Sequence, residues 1–315
     1  MNPLCSILII SYNTREMTLA CVRSVFEQAE TDAFEVIVLD NASNDGSDEA
    51  LADEFGDRIR LIESSENVGF AGGNNEAARH ARGEYLLLLN PDTVVLDHAI
   101  DRLLDFANAH PDARIWGCRT VYADGSLNPG SCWGRQTLWS LLSRVVGLTT
   151  LFPRSRVLNP EAIGGWDRRD TRSVDIVTGC CLLIKAEFWN ALGGFNLDYF
   201  MYGEEADLCY RARRLGANPM ITPTAQIVHH GGASETVRAD KLKRLLAAKA
   251  LLIRHHFRPA HRSLGLVLLA CWPLSRWLAH RVAAFARPSS KLSAQVWRTV
   301  WVSRRTWIRG AFERA

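Results

Sequence analysis

Along the first 235 residues, short apolar runs alternate with longer stretches of helical periodicity. Residues 6–13 (SILIISYN), 34–43 (FEVIVLDNAS) and 85–90 (YLLLLN) show no apolar/polar alternation, and 59–65 adds a shorter run. Strands of that kind are covered on both faces, and the intervening patterns of 10–15 residues are the helices that cover them. Those helices are expected up to Gln28, through DGSDEALADEF and NNEAARHA, and through HAIDRLLDFANAH. The predicted body is α/β, a mostly parallel sheet with helices on both faces. Each strand then delivers its C-terminal end to a common crevice, where open sheets bind ligands. Beyond Arg119 the order loosens. Residues 123–172, rich in Gly, Pro, Arg and Trp, read as a surface excursion with a helix at 137–148. Regularity returns with DIVTGCCLLIK (175–185), helical AEFWNAL and GEEADLCYRARRLG, and a closing strand at 221–230.

The pattern changes after residue 235. Residues 241–258 place Leu242, Leu245, Leu246, Leu252 and Ile253 on one helical face. Lys241, Arg244, His255 and Arg258 fall mostly on the other, as in a basic amphipathic helix. The apolar segment between Arg262 and Arg276 is 13 residues long and contains Pro273, whereas a bilayer span needs about 20. Trp272, Trp277, Trp297, Trp301 and Trp307 lie among arginines, a combination suited to lipid headgroups. A helical appendage packed on the body is the alternative.

Charge sharpens this division. The net charge of +3 conceals 17 Lys and Arg against 2 Asp and Glu from Arg238 onward, and 20 against 32 before it. An acidic body (1–235) and a basic helical extension (236–315) point to two jobs. Nucleic acid would also attract the extension, but no recognition motif accompanies it. The 8 cysteines contain no C-x-x-C pair and sit mostly in apolar runs, as reduced thiols do. Met1-Asn2-Pro3 leads into a strand without the basic segment of a signal peptide. The expected location is cytoplasmic, at the inner face of the membrane.

No glycine follows the first strand and no G-K-[ST] occurs, which excludes the dinucleotide fingerprint and the Walker phosphate loop. Gly69, Gly72 and Gly73 open a helix, either as a phosphate-facing N-terminus or as a tight connection. Asp40 ends the second strand. It can cap the next helix, but Ser43 or Asp45 can do that and leave Asp40 for a base or ribose. Asp92 follows a wholly apolar strand at the same crevice edge. Asn90-Pro91-Asp92 is a sensible turn, and equally a place for the carboxylate that Mg²⁺ or Mn²⁺ takes together with substrate phosphates. On a helix from Gly203, Glu205 heads the core-facing stripe of Leu208, Cys209 and Ala212, where burial raises a carboxyl toward a working general base. Glu204 lies to the side, favoured by the helix dipole, and Asp207 can pair with Arg211. His229 and His230 follow the last strand, as structural residues or as contacts to a metal or diphosphate.

Taken in order, SILIISYN, VIVLDNASNDGS, NVGFAGGNNEAAR, YLLLLNPDT, VTGCCLLIKAEFWNALGGFN, FMYGEEADLCYRARRLG and VHHGGAS resemble the family 2 inverting glycosyltransferases, which have the GT-A fold. They cover most of residues 5–234. The NPD form, the GGFN-to-YGE stretch and the HHGG are most similar to the rhamnosyltransferase-like branch. Members there commonly use dTDP-L-rhamnose and act on lipid-linked or growing surface glycans.

The resemblance implies a metal-dependent, inverting hexosyltransferase. It places Tyr12, Asn13, Asp40, Gly73 and Asn74 at the nucleotide. Asp92 would hold the Mg²⁺ or Mn²⁺ that bridges the diphosphate, and His229 or His230 would contact that metal or diphosphate. Glu205 stands where the family usually has the Asp of a Glu-Asp pair, the catalytic base, with Asp207 in reserve. The base takes the proton of an acceptor hydroxyl as it attacks the anomeric carbon opposite the nucleotide, in one displacement. The Glu-for-Asp departure leaves open a relative that binds a nucleotide sugar or a partner without transfer. A nucleotidyltransferase would share the α/β layout but needs a Gly-rich loop after its first strand, and SYNTREM has no glycine. The expected partners are a nucleotide-diphosphate sugar, a glycan or lipid-linked acceptor and an anionic membrane surface.

Overall fold

The computed structural model describes residues 3–29, 34–231 and 237–310. The chain opens with β1 (Cys5–Ser11), α1 (Arg15–Gln28), β2 (Phe34–Asp40), α2 (Ser47–Phe55), β3 (Ile59–Glu63) and α3 (Gly69–Arg79). It continues through β4 (Tyr85–Leu89), β5 (Thr93–Leu96), α4 (Ala99–Ala109) and β6 (Ile115–Val121). Shorter pieces follow: β7 (Cys132–Trp133), α5 (Leu138–Val145), α6 (Leu148–Leu151), β8 (Arg172–Ser173) and β9 (Ile176–Val177). Next come β10 (Cys181–Lys185), α7 (Ala186–Leu192), α8 (Glu204–Arg214) and β11 (Met220–His229). Four helices end the chain: α9 (Arg238–His256), α10 (Pro259–Ala283), α11 (Ser290–Val302) and α12 (Arg304–Trp307). The described residues of Met1–Trp133, Asp167–Phe200 and Glu204–Ser234 form one compact unit. Those of Gly134–Trp166, Met201–Gly203 and Glu235–Ala315 form a second.

The first unit is the expected α/β body, a mostly parallel sheet flanked by helices. Its strand order is β3-β2-β1-β4-β10-β6-β11-β5, with β8 added on β11. The first four strands are parallel, and β10 runs antiparallel to both β4 and β6. Ile7, Leu8 and Ile9 are fully buried, and Leu86 to Leu89 are at most 2% exposed. Each such side chain contributes about 1.5–3 kcal/mol by leaving water. That explains why the strands show no polar alternation. Besides the two-residue strands β7 and β8, β5 and β6 were not announced by the pattern. Strand β6 is interrupted by Gly117 and Thr120, and Gly117 is required because a Cβ there would stand 2.5 Å from Val177 Cγ1. Strand β5 is only 4 residues long and pairs with distant β11.

The second unit is helical and has its own core of Leu141, Leu246, Ala250, Ile253, Leu269, Trp272, Trp297 and Trp307. Two expectations are corrected here. Helix α9 is not a surface amphipathic helix, since Leu246, Ala247, Ala248 and Ala250 to Ile253 are all buried. Trp272, Trp297 and Trp307 are 6%, 8% and 2% exposed, so they are core residues and not headgroup anchors. Residues 134–166, read as a surface excursion, belong to this unit. A Thr137–Ser140 capping box starts α5. Buried Glu161 then accepts hydrogen bonds from Ser140 Oγ (2.8 Å), Arg144 Nη2 (3.0 Å) and Lys249 Nζ (2.8 Å). The Arg144 guanidinium also stacks 4.6 Å from the Trp272 ring centre.

Burial alone would raise the Glu161 carboxyl, but the charges of Lys249 and Arg144 outweigh it and hold it at about 2 against an ordinary 4.5. A carboxylate lowered on folding stabilises above its unfolded value, and the contribution is lost as pH falls toward the folded one. Glu161→Gln should therefore cost about 3–5 kcal/mol at neutral pH, because two cations lose their buried counter-charge. The difference in thermal midpoint between wild type and Glu161→Gln should close as pH falls from 4.5 to about 2. A difference that stays constant across that window would contradict the pairing.

Candidate active site

Parallel pairing sets the site's geometry. Ser11 is in register with Asp40, and Ile9 with Leu89, so the chain leaves β1, β2 and β4 along one sheet edge. Strand β1 lies between the other two, and adjacent strands are about 4.8 Å apart, so the ends of β2 and β4 are roughly 10 Å apart. Asp40 is buried at the first of these ends. Its Oδ2 accepts from the Ser43 N–H at 2.8 Å, while its buried Oδ1 has no hydrogen-bond partner among the described residues. Half the carboxylate closes a turn and the other half is an unfilled acceptor, which a buried oxygen does not tolerate without cause. Capping of α2 falls to Asp45, which accepts from Ser47 N at 3.2 Å.

Asn13 sits in the left-handed region (φ 51) and joins two loops. Its N–H donates to Ser43 Oγ (2.9 Å), and its Oδ1 accepts from Asn44 N (2.8 Å). Asn13 is thus a loop latch, with half-buried Tyr12 between it and β1. Asn41, which the sequence reading passed over, links the next loop. Its Oδ1 accepts from Val68 N at 2.9 Å and its Nδ2 donates to Asn67 Oδ1 at 3.0 Å. The available signal was its place directly after Asp40.

Gly73 and Asn74, expected at the nucleotide, each have a packing role. A Cβ on Gly73 would lie 2.8 Å from Ile10 Cγ2, so glycine lets α3 settle on β1. Buried Asn74 donates Nδ2 to the Phe70 carbonyl at 2.9 Å within its own helix. The start of α3 is closed too. Phe70 N donates to Phe200 O at 2.9 Å, and a Cβ on Gly69 (φ +76) would collide with that oxygen. The glycine cluster is a tight connection.

Asp92, only 7% exposed, stands at the second strand end. Its Oδ1 lies 3.4 Å from His229 Nε2, and its Oδ2 accepts from Gly231 N at 2.9 Å. Burial pushes the Asp92 carboxyl up, but the hydrogen bond and charge of His229, with the Gly231 N–H, bring it below the usual carboxylate value. Burial likewise disfavours a charged His229, yet Asp92 and the neighbouring Cys180 thiol raise it to about 10. The pair is ionic at neutral pH. His230 takes part only through its backbone N–H, which donates to Asp92 O at 3.0 Å, and its side chain is exposed. Of the two, His229 is the one whose ring meets Asp92. Gly232, Ala233 and Ser234 of the VHHGGAS stretch lie outside the described residues.

The Asp92–His229 set fits a hard divalent cation. Neighbouring ligands of an octahedral ion with bonds of about 2.1 Å are about 3 Å apart, close to the 3.4 Å between Oδ1 and Nε2. Among the described residues no group of three or more His, Cys, Asp and Glu converges, and two protein ligands suit an ion that completes its shell with phosphate oxygens. Buried Asn90 Oδ1, two residues away, has no hydrogen-bond partner among the described residues.

Helix α8 holds the third carboxylate group and corrects the helical-wheel expectation. Glu204, expected to the side, is 4% exposed, while Glu205 is half-buried. Burial first, and the adjacent Glu205 charge second, hold the Glu204 carboxyl well above the usual range. Asp207, the reserve base, has a structural partner. Its Oδ2 accepts from Arg211 Nε at 2.7 Å, and Arg211 also donates to Leu192 O (2.6 Å) and Gly194 O (2.8 Å). That clamp fixes α8 against the end of α7.

Comparison with known proteins identifies the kind of molecule. The family model described as "Glycosyl transferase family 2" matches residues 6–185, more than half the chain. Uncharacterized protein y4gI of Sinorhizobium fredii is 30% identical over 74% of this chain and 25% of its own length. N-acetylglucosaminyl-diphospho-decaprenol L-rhamnosyltransferase of Mycobacterium tuberculosis is 27% identical over 62% of this chain and 66% of its own. The chain thus spans a quarter of the first relative and just under two thirds of the second. Among solved structures, mannosyltransferase PcManGT of Pyrobaculum calidifontis, in complex with GDP-Man and Mn²⁺, superposes with TM-score 0.56. It is 20% identical, and the match covers 98% of this chain and 86% of that one, a likeness of fold.

The packing role of Gly73 is testable. Gly73→Ala should destabilise by about 1–3 kcal/mol through overpacking. In an Ile10→Ala background the same change should cost clearly less, giving a measurable coupling in a double-mutant cycle by chemical denaturation. Equal costs in both backgrounds would refute the contact.

Proposed function

The chain belongs to glycosyl transferase family 2, and from that premise we propose that it is an inverting, metal-dependent hexosyltransferase. The donor is a nucleotide-diphosphate sugar, with dTDP-L-rhamnose as first choice, and the acceptor is a hydroxyl of a lipid-linked or growing surface glycan. The observation that carries this reading is the pair of buried aspartates at one sheet edge, one with an unfilled acceptor and one beside an imidazole. The rhamnosyl and lipid-linked choices lean on the NPD and HHGG stretches and on the name of the mycobacterial relative.

In this reading Asp40 Oδ1 accepts from the base or ribose, with Tyr12 beside it. Asp92 and His229 would hold Mg²⁺ or Mn²⁺, and His229 would have to give up its proton to do so. Such an ion, when bound, neutralises the charge that develops on the departing diphosphate. Two adjacent carboxyls do not both ionise readily, so the more buried Glu204 keeps the proton and Glu205 is left as the base. Glu205 takes the acceptor's proton as the hydroxyl attacks, and one displacement inverts the anomeric centre. Asp207, through Arg211, keeps the first turn of α8 in place. Transfer is assigned to the first unit. The basic second unit is assigned to the anionic inner face of the cytoplasmic membrane, and no described helix is long and apolar enough to cross a membrane. The Glu at position 205, where an Asp is usual, supports a second reading in which the chain binds a nucleotide sugar without transferring it.

The thermal midpoint with dTDP, UDP or GDP, each with and without Mg²⁺ or Mn²⁺, tests the site. One nucleotide at about 100 times its dissociation constant should stabilise by about 2.7 kcal/mol. That shift should need the metal and vanish in Asp92→Ala. Glu205→Gln should keep the shift and lower turnover by about 10²–10⁴-fold. Transfer by Glu205→Gln at the wild-type rate would remove the base assignment. A shift preserved in Asp92→Ala would remove the metal assignment.

A further inference from the structure

Helix α10 carries a feature that the transfer chemistry leaves unused. Leu264, Val267, Leu278, Val282 and Phe285 are 51%, 57%, 50%, 70% and 94% exposed. At 100° per residue, Leu264, Val267, Leu278 and Val282, with half-buried Cys271 and Leu274 between them, fall within about 80° of the helix circumference. Phe285 extends the line in the turn that follows the helix. The opposite side of α10, with Gly265, Leu269 and Trp272, is buried. One face therefore builds the core of the second unit, and the other presents a continuous apolar stripe to solvent.

The surroundings of the stripe say what covers it. Arg281, about 20° beyond the edge of the stripe on α10, and Arg287, two residues after Phe285, are exposed. The residues assigned to the second unit include 21 Lys and Arg against 4 Asp and Glu. Pairing the stripe with that of a second copy would bring two such basic surfaces together, at an electrostatic cost. A nucleic acid would use the charge but has no need of a line of valines, leucines and a phenylalanine. A surface of anionic lipid matches both features, since an interfacial helix lays its apolar side among the acyl-chain ends and its cations at the headgroups.

We propose that the outer face of α10, from Leu264 to Phe285, is the surface by which this chain lies on an anionic bilayer. This deepens the reading of a membrane-borne acceptor by assigning the contact to α10 rather than to α9 or the tryptophans. It requires no sugar transfer.

The test is co-sedimentation of the full chain with vesicles of equal parts phosphatidylcholine and phosphatidylglycerol, against pure phosphatidylcholine. Wild type should bind the anionic vesicles preferentially, and less at high salt. Val282→Ser with Phe285→Ser should lower the partition coefficient by about tenfold or more. Leu264→Ser with Val267→Ser, at the other end of the stripe, provides a second variant should the first unfold. Both should keep the wild-type thermal midpoint and nucleotide shift. Wild-type failure to bind anionic vesicles, or unchanged binding by both folded variants, would overturn the proposal. So would a wild-type dimer that either double variant converts to monomer, because a second copy would then cover the stripe. A missing nucleotide shift would defeat the transfer reading and leave the vesicle result standing.

Discussion

A carboxylate at the end of a wholly apolar strand must be matched before the rest of this sheet can hold. Strand β4 lies between β1 and β10, and the chain re-enters the sheet as β5 on the far side of β11. The Asn90-Pro91-Asp92 turn connects β4 to β5, and Asp92 latches it by pairing with His229 and Gly231 at the end of β11. Thr93, the next residue, is in register with His229. Removing one partner would leave the other charge buried, a loss of about 3–5 kcal/mol in comparable pairs. The same contact that closes the sheet presents an oxygen and a nitrogen side by side at its edge, so structural need and proposed chemistry coincide at one pair.

The sequence made the main strands legible because β1, β2 and β4 are covered on both faces, and continuous burial leaves an unmistakable apolar run. It made Asp40 and Asp92 legible because each ends such a run. The packing roles it did not show depend on contacts far along the chain. Gly73 answers to Ile10, and Gly69 to Phe200, and neither neighbour can be inferred from a glycine cluster. Trp272, Trp297 and Trp307 among arginines give the same pattern whether they face headgroups or, as here, a helical core. The choice between His229 and His230 was within reach. Ala225 and Ile227 are buried, side chains alternate along a strand, and His229 continues their side.

Charge divides the chain as sharply as contacts do. The first unit carries 16 Lys and Arg against 30 Asp and Glu, and the second reverses the balance. Such a surplus raises the cost of compactness through self-repulsion. In the second unit part of it is answered internally, where Glu161 meets Lys249, Arg144 and the Ser140 hydroxyl in one buried cluster. The sequence could not show this, because the three elements are brought together by apolar packing around Leu141, Leu246 and Trp272. Other cations of this unit, Arg281 and Arg287 among them, are exposed, as is the apolar outer face of α10.

The departure from Asp to Glu at position 205 becomes intelligible in the same terms. Glu204, Glu205 and Asp207 share the first turn of α8. Asp207 is paired with Arg211, and burying Glu204 and Glu205 both as charges would be costly. Holding the proton on Glu204 leaves one charge between these two, which the helix N-terminus favours. That charge belongs to the side chain with more solvent around it. The extra methylene gives Glu205 a longer reach than Asp, and a longer reach is useful only from a fixed base. The clamp from Asp207, in the same first turn, through Arg211 to the Leu192 and Gly194 carbonyls supplies that fixity. On the proposed reading, the family's usual residue can be replaced because the helix that carries it is anchored and its neighbour is neutral.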